Sequence, residues 1–304
     1  MTQDCRERQA NLGQRVDNTK DSKPTIWLRI VQFPLVRLVL LGVPLLCMMA
    51  VNGGFMEKFT TTPLMAIAVT IAMAGLGFAF YAGFVRFIER RPVNEFALLQ
   101  FPRELGIGLL VGAGLYTGAV LVLMVLGVYR IEGLNPISSM IPAIALALSS
   151  GVFEELLFRG ALFRVVEEWL GSWISLVVSS FVFGFVHMLN PAATLTGALF
   201  ISVEAGLLLA AAYMVTRRLW MSMGFHMAWN YTQSAVFSGV VSGAVSEPGL
   251  IKPVIKGPDF LTGGSFGLEA SVVAFVLCTG VGVVLLIMAV RRGHIVPPFW
   301  KRTN

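Results

Sequence analysis

Long apolar stretches without a lysine, arginine, aspartate or glutamate limit the fold of this chain more than any other feature. A helix needs about 20 apolar residues to cross the hydrocarbon core of a bilayer. The 169–203 stretch is too long for one helix, and the Asn190-Pro191 step divides it into one span of about 172–189 and the start of another, about 193–215, which contains Glu204. We therefore predict an all-α polytopic membrane protein of about eight transmembrane helices. The stretches cover residues 38–56, 59–85, 105–129, 133–153, 169–203, 219–246 and 270–290.

Composition excludes an ordinary soluble domain. The 304-residue chain is 56% hydrophobic and only 13% charged, whereas soluble domains are about 25% charged. Its formal net charge of +6 does not indicate nucleic-acid binding, because the basic residues form short clusters between the apolar stretches, as in membrane loops. The expected partner of the protein is therefore the lipid bilayer, with no nucleic acid.

The positions of the basic residues predict how the chain is oriented. With the N-terminus in the cytoplasm, all lysines and arginines except Lys58, Arg130, Lys252 and Lys256 fall in cytoplasmic segments. Cytoplasmic loops of membrane proteins carry an excess of lysine and arginine. Both termini are therefore expected to be cytoplasmic, and the polar residues 1–26 are expected to form a retained tail rather than a signal peptide.

The map of spans and loops divides the chain into five segments. Glycine and proline are frequent in the longest outer connection, which favours an irregular loop there. The three cysteines (Cys5, Cys47 and Cys278) show neither paired spacing nor a metal-ligand pattern, so free thiols are expected. The segments are a polar cytoplasmic tail (1–26), helices one to three (27–135), a core of helices four to seven (136–240), the outer loop (241–268), and helix eight with a basic cytoplasmic tail (269–304).

Side chains able to do chemistry gather in the second half of the chain. The predicted spans of the first half contain no charged residue. Ionisable groups are costly in hydrocarbon unless they are paired or solvated, so inside a membrane they indicate a functional site. The groups concerned are Glu154, Glu155, Arg159, His187, Glu204, His226 and Asn230.

Helical spacing predicts which of these groups face the same way. Residues four apart share a helix face, so Glu155 and Arg159 are expected to form an ion pair. Glu154 points about 100° away around an α-helix and is not neutralised by that arginine. The same spacing of four links Phe183 to His187 and His226 to Asn230.

Distances along the helices place three of these groups at one depth. Helices four and five should form a hairpin at residues 170–171, and Glu154 and His187 each lie about 24 Å from that turn. His226 lies roughly 12 Å from the inner boundary, so helix four must overhang into the cytosol for the three to meet. We therefore expect a polar cavity in the cytoplasmic half of the membrane. Glu204 has no partner at helical spacing and is expected to pack or to line that cavity.

Three short motifs in this region resemble those of the CPBP family, the CAAX-protease and bacteriocin-processing group also called Abi-type proteins. All three motifs are intact, in order and inside predicted spans, and the match covers residues of about 140–235. The stretch from Glu89 to Glu95 also looks like members of this family. The motifs EExxxR, FxxxH and HxxxN read here Glu154-Glu155-Leu-Leu-Phe-Arg159, Phe183-Gly-Phe-Val-His187 and His226-Met-Ala-Trp-Asn230.

The resemblance implies an intramembrane endopeptidase that hydrolyses peptide bonds of membrane-associated or lipid-modified proteins. Eukaryotic relatives remove the last three residues of prenylated CAAX proteins, and bacterial relatives include bacteriocin-maturation and immunity proteins. The expected partners are therefore the bilayer and a peptide or lipidated protein substrate, and the expected location is a bacterial inner membrane. The sequence does not predict the individual substrate, its cleavage site or the oligomeric state.

Given this resemblance, the residues suit water-mediated peptide hydrolysis. Glu154 is expected to be the general base, and His187 is expected to hold and polarise the same water. His226 and Asn230 are expected to donate hydrogen bonds to the oxyanion of the tetrahedral intermediate.

Glu155 is expected to act beside these groups rather than as the base. Held by Arg159, it would orient the site and shuttle the proton to the leaving amine. Arg159 and Phe183 are expected to be supporting residues.

A zinc-dependent version of the same protease is one alternative. Glu154, His187 and His226 would then ligate Zn²⁺ with water in the fourth position, and Glu155 would supply the acid and base. The sequence lacks an HExxH arrangement, and the resemblance favours a metal-independent glutamate mechanism. No metal or other cofactor is therefore favoured.

Two further functions remain open from the sequence. A secondary transporter would also place carboxylates and histidines inside the membrane, but it usually shows paired halves with interrupted helices. Here the polar groups lie in one half of the chain and no internal repeat is visible. A non-catalytic relative acting as a membrane scaffold or immunity protein would keep the fold without turnover. The intact motifs favour the protease over both.

Overall fold

Helices account for almost all of the regular structure. The computed structural model describes residues 26–59, 61–244 and 247–302 and is 77% helical. Except for Ile26, the predicted tail at 1–26 lies outside the described residues, as does Cys5. The helices are α1 (Ile26–Val31), α2 (Pro34–Lys58), α3 (Pro63–Ile88), α4 (Asn94–Val125), α5 (Ile137–Leu170), α6 (Ser172–Leu189), α7 (Leu195–Thr216), α8 (Trp220–Tyr231, continued by a π turn at Thr232–Val236), α9 (Asp259–Thr262) and α10 (Val272–Arg291), and the strands are β1 (Tyr129–Leu134) and β2 (Ile251–Ile255).

Seven of the described helices, α2 to α7 and α10, are long and apolar enough to cross a bilayer. The predicted all-α membrane fold is therefore confirmed. α8 occupies the remaining predicted span, 219–246, but it is shorter, with 12 α-helical residues and a π turn of 5. The chain leaves the helix because Ser238, Ser242 and Gly243 have positive φ angles, which a right-handed helix does not contain.

A small antiparallel sheet occupies part of the connection that was expected to be irregular. β1 follows α4, and β2 lies within the 241–268 loop. The strands pair with Tyr129 opposite Ile255 and Leu134 opposite Ile251. Helices α5 to α8 separate them in the sequence, so neither strand has a local partner that the glycine and proline content could indicate.

Glu89 holds three arginines together at the end of the bundle that carries the α5–α6 turn. Its carboxylate accepts hydrogen bonds from Arg37 at 2.8 Å, Arg91 at 2.9 Å and Arg164 at 2.9 Å. Burial alone would raise the pKa of the Glu89 carboxyl, but the charges of Arg164, Arg37 and Arg91 hold that pKa below its ordinary value. The carboxylate therefore stays ionised at neutral pH and links α2 and α5 to the segment after α3.

Two more ion pairs lie at the same end of the bundle. Arg217 donates to Glu167 at 2.6 Å, and Arg218 donates to Glu104. These pairs tie the α7–α8 turn to α5 and α4. Ion pairs therefore close this end, whereas the opposite end carries the α6–α7 turn and the segment between α8 and α10.

Candidate active site

Three predicted catalytic side chains from three helices meet in the structure. Glu154 lies on α5, His187 lies in the last turn of α6, and His226 lies on α8. Oε2 of Glu154 is 4.0 Å from Nε2 of His187 and 3.8 Å from Nε2 of His226. All three side chains line a cavity of about 340 Å³. The structure thus brings together the groups that helix lengths place at a shared depth.

Hydrogen bonds at Nδ1 orient the rings of both histidines. Nδ1 of His187 is 2.7 Å from the carbonyl oxygen of Phe183, and Nδ1 of His226 is 2.9 Å from Oε1 of Glu155. A carbonyl oxygen and an ionised carboxylate only accept, so each Nδ1 carries the hydrogen. Both Nε2 atoms are therefore left to face Glu154. Oε2 of Glu154 is buried and has no hydrogen-bond partner among the described residues.

The neighbouring Glu155 is fully buried behind this site and is not part of the cavity wall. Arg159 donates to it at 2.8 Å, so the ion pair predicted from the spacing of four is confirmed. Glu155 therefore bridges Arg159 and His226. Its expected orienting role fits this geometry, whereas its carboxylate has no contact with the cavity through which to shuttle a proton.

Both glutamates lie in a π-helical segment, Ser150–Phe163, rather than in the regular α-helix assumed from the sequence. π-helix is rare and frequently occurs at functional sites. α7 contains a second π segment, Ser202–Leu207. The buried Arg159 reaches across to it and donates to the carbonyls of Ala205 at 2.8 Å and Gly206 at 3.2 Å. An inserted side chain that takes helix carbonyls is an identifiable cause of such local distortion.

Phe183 and Asn230 pack directly beside the three converging groups. The Phe183 ring lies 4.6 Å from the Arg159 guanidinium and 4.9 Å from the His187 ring. Asn230 lines the cavity and donates from Nδ2 to Oγ of Ser150 at 2.8 Å. Sequence reasoning missed Ser150. The available signal was its position four residues before the EExxxR motif, which puts it on the same helix face as the first glutamate.

Two glycines of α4 let α8 approach closely enough to place His226. A β-carbon at Gly108 would lie 2.2 Å from the carbonyl oxygen of Met221, and one at Gly112 would lie 2.3 Å from that of Phe225. Small residues four apart allow close packing of membrane helices. The Gly108–Gly112 spacing is visible in the sequence, but it does not tell which helix packs against it.

Leucine in place of Gly112 is expected to destabilise the protein by about 1–3 kcal/mol, since overpacking forces neighbouring backbone to shift. The measurement is thermal unfolding of the full-length protein in detergent. Gly114, two residues further along α4, provides the matched control, because a β-carbon there meets nothing within 4 Å. Equal melting temperatures for Gly112→Leu and Gly114→Leu would contradict the close α4–α8 contact.

The cavity extends toward the end of the bundle opposite the ion pairs. Asn190, Ser242 and Ala244, from the α6–α7 turn and the segment after α8, form its wall there. His187 lies in the last turn of α6, so the site forms where α6 ends, far from the α5–α6 turn. With both termini in the cytoplasm, as the charge map predicts, this end of the bundle would face outward. The orientation and the cytoplasmic depth of the cavity both stay predictions.

Comparison with known families singles out the same part of the chain. Residues 136–232 match a family model described as Rce1-like, Type II CAAX prenyl endopeptidase Rce1-like. This segment contains the three motifs and all the converging side chains. Over these residues the chain matches the CAAX protease family. Comparisons with curated proteins and with solved structures give no match.

The family match and the seven apolar helices together support an integral membrane protein whose 136–232 segment is similar to CAAX-type endopeptidases. The resemblance seen in the three motifs is thereby confirmed. The family match covers the residues of the site but ends before the outer connection and α10.

A buried carboxylate outside the CAAX protease segment also reaches the cavity. Glu269 precedes α10, and Nε1 of Trp229 donates to its Oε2 at 3.5 Å. Burial raises the pKa of the Glu269 carboxyl, and nearby Ser242, Gln233 and His187 offset this only in part. Sequence reasoning missed Glu269 because it stands at the edge of the last apolar stretch, far along the chain from the motifs.

Glu154, His187 and His226 are the residues that would ligate Zn²⁺ in the zinc-dependent alternative. Within residues 26–59, 61–244 and 247–302, no group of three or more histidine, cysteine, aspartate or glutamate side chains is arranged to hold a metal ion. The metal-independent reaction and the zinc alternative are therefore to be separated by experiment.

Cys47 and Cys278 are free thiols, as predicted.

Proposed function

We propose that the protein hydrolyses peptide bonds of membrane-associated or lipid-modified substrates with a water molecule that Glu154 activates. The observation that supports this most is the position of Glu154 Oε2 beside two histidine Nε2 atoms. Separations of 3.8 and 4.0 Å are too long for direct hydrogen bonds but fit polar groups that share one water.

Glu154 is the proposed general base. Its carboxylate takes a proton from the water as the water oxygen attacks the carbonyl carbon of the peptide bond. The same carboxyl then gives that proton to the amine nitrogen as the C–N bond breaks. Nε2 of His187 accepts a hydrogen bond from the second O–H of the water and so holds the water in place. The Glu154 side chain is 18% exposed, so it reaches the cavity while its neighbour Glu155 does not.

His226 and Asn230 are the proposed donors to the oxyanion. Glu155, 2.9 Å from Nδ1 of His226, stabilises the charged imidazolium, whose Nε2–H then points into the cavity. Asn230 has a second Nδ2 hydrogen besides the one that it donates to Ser150. Donors aimed at a developing oxyanion are commonly worth about 3–4 kcal/mol each in acyl-transfer enzymes.

A peptide or lipid-anchored protein is the proposed substrate class, because the cavity lies among apolar helices and the segment matches the CAAX protease family. We place the protein in a bacterial inner membrane on the basis of the resemblance and the charge map, and the charge map places both termini in the cytoplasm. A C-terminal reporter that is active only in the cytoplasm checks this orientation. An inactive reporter on a folded, inserted protein would reverse it.

Cleavage of membrane peptides by the purified protein tests the proposed function. Full-length wild type in detergent is expected to cut members of an amphipathic peptide library, with the products identified by mass spectrometry. His187→Ala is expected to lose most of this activity because the water loses one of its partners. His294→Ala is the matched control, since His294 follows α10, outside the cavity wall, with Nδ1 against the carbonyl of Met214. A folded wild-type protein that cuts no peptide would overturn the proposal.

A chelator distinguishes the two versions of the reaction. Cleavage by wild type is expected to persist after chelator treatment if Glu154 activates water directly. Loss of cleavage on chelation, with recovery on added Zn²⁺, would instead favour the zinc version, in which Glu154, His187 and His226 ligate the metal.

A further inference from the structure

Two buried carboxylates in the cavity have no part in the proposed reaction. Glu204 lies in the π segment of α7, and Glu269 lies just before α10. Each is 3% exposed, and each lines the same cavity as Glu154. Of the two roles that the sequence predicts for Glu204, packing or lining the cavity, the structure places it in the cavity wall.

Among the described residues, neither of these two carboxylates has a lysine or arginine partner, which sets them apart. Oε1 of Glu204 and Oε1 of Glu269 have no hydrogen-bond partner among the described residues. Glu269 has neutral neighbours in Ser242, Gln233 and Trp229, and Nε1 of Trp229 lies 3.5 Å from its other oxygen, which is long for a hydrogen bond. Other buried glutamates each have an arginine partner, in the pairs Glu95–Arg91, Glu104–Arg218, Glu155–Arg159 and Glu167–Arg217.

Burial without a partner is costly for a carboxylate, and structural carboxylates in proteins are normally hydrogen-bonded or ion-paired. Two unpartnered acceptor atoms in one cavity wall therefore indicate a ligand that donates hydrogen bonds. Glu204 and Glu269 also lie within electrostatic range of each other. A single positive charge between them would be attracted by both, so the ligand chemistry that fits is an organic cation.

The wall near Glu204 suits a cation on a long aliphatic stem. Ile201 and Leu209 come from the same helix as Glu204 and line the cavity. Cys278 of α10 also lines it and lies within electrostatic range of both carboxylates. Lysine and arginine lay their methylene stems along apolar surface while the charged head reaches a polar partner.

We infer that Glu204 and Glu269 form a subsite for a basic side chain of the substrate, lysine or arginine, in the cavity that holds Glu154. The ammonium or guanidinium group donates to the two free Oε1 atoms, and the stem packs on the apolar wall. The inference rests on the proposed function because the ligand is part of a peptide substrate. Binding in the subsite does not itself require hydrolysis.

Binding of matched peptides tests the subsite without relying on turnover. The probes are short fluorescent peptides, acetylated at the N-terminus, that carry either lysine or norleucine at one position, and that position is varied along the peptide. Norleucine keeps the stem and lacks the ammonium group. At one or two neighbouring positions the lysine peptide is expected to bind the full-length protein at least about tenfold more tightly, as expected for hydrogen bonds to charged groups. Fluorescence anisotropy in detergent measures both affinities.

Variants of the two carboxylates decide whether the preference arises in this subsite. Glu204→Gln, Glu269→Gln and the double variant are expected to bring the two affinities together. Glu132→Gln, which changes an exposed glutamate of β1, is the matched control and is expected to keep the preference. Glutamine retains the shape of glutamate and breaks no lysine or arginine ion pair at these positions, so melting temperatures are expected to stay near that of wild type. If the double variant does not fold, the single variants carry the test.

Equal affinity for lysine and norleucine peptides at every position overturns the subsite. A lysine preference that survives in the folded carboxylate variants overturns it as well. A lysine preference that depends on Glu204 and Glu269, in a protein that cleaves no peptide, would support the subsite and overturn the proposed function alone.

Discussion

Glutamine in place of Glu154 is expected to lower kcat about 10²–10⁴-fold while the folded protein remains as stable as wild type. Glutamine has nearly the same shape as glutamate but cannot take a proton from water. The substitution breaks no close ion pair. Among the described residues, the basic side chains near Oε2 of Glu154 are His187 and His226, whose Nε2 atoms lie at 4.0 and 3.8 Å. Initial rates on a cleaved peptide and melting temperatures in detergent measure the two effects separately.

Glu132→Gln is the control for this substitution, because Glu132 lies exposed on β1 and is expected to keep full activity. If Glu154→Gln retained a kcat close to that of wild type, Glu154 would not be the base. If its melting temperature fell steeply, the loss of activity would report a structural role rather than a catalytic one.

Glutamine in place of the next residue, Glu155, is expected to lower the stability of the protein. Glu155→Gln leaves Arg159, which is 1% exposed, without the carboxylate to which it donates. Removing one partner of a buried ion pair typically destabilises a protein by about 3–5 kcal/mol, because an uncompensated charge remains buried. We expect a large fall in melting temperature in detergent. Activity is expected to fall with it, since Glu155 also holds His226 in place.

A second substitution at Arg159 tests this explanation. In the double variant Glu155→Gln and Arg159→Met, the buried charge is absent, so the protein is expected to melt at a higher temperature than either single variant. Activity is not expected to return, because the polar support of His226 is still lost. Destabilisations that simply add in the double variant would show that the two residues do not act as a pair.

Local patterns were sufficient to predict the helices and the ion pair within α5. The lengths of the apolar stretches indicate membrane spans because the thickness of the bilayer sets the length of a spanning helix. The Glu155–Arg159 pair was predictable because both partners lie on one helix, four residues apart. The motifs likewise identified Glu154, His187 and His226 before their helices were placed.

Contacts between distant segments were not predictable in this way. Glycine and proline in the 241–268 loop predict an irregular segment, and they do not reveal strand β2 because its partner, β1, lies on the far side of four helices in the sequence. Glu269 was overlooked because only the packing of α10 brings it to the cavity. Residue counts along single helices also do not show that the cavity extends to the α6–α7 turn, because its wall there comes from separate segments.

The sequence by itself determined that this is a helical membrane protein and which residues carry the three motifs that resemble those of CAAX proteases. Only the tertiary structure decided how two adjacent glutamates differ, with Glu154 in the cavity between two histidines and Glu155 buried between Arg159 and His226. The reason is physical. Helix formation and spacing depend on residues a few positions apart, whereas the solvation and the charge partners of a carboxylate depend on side chains that other helices bring to it.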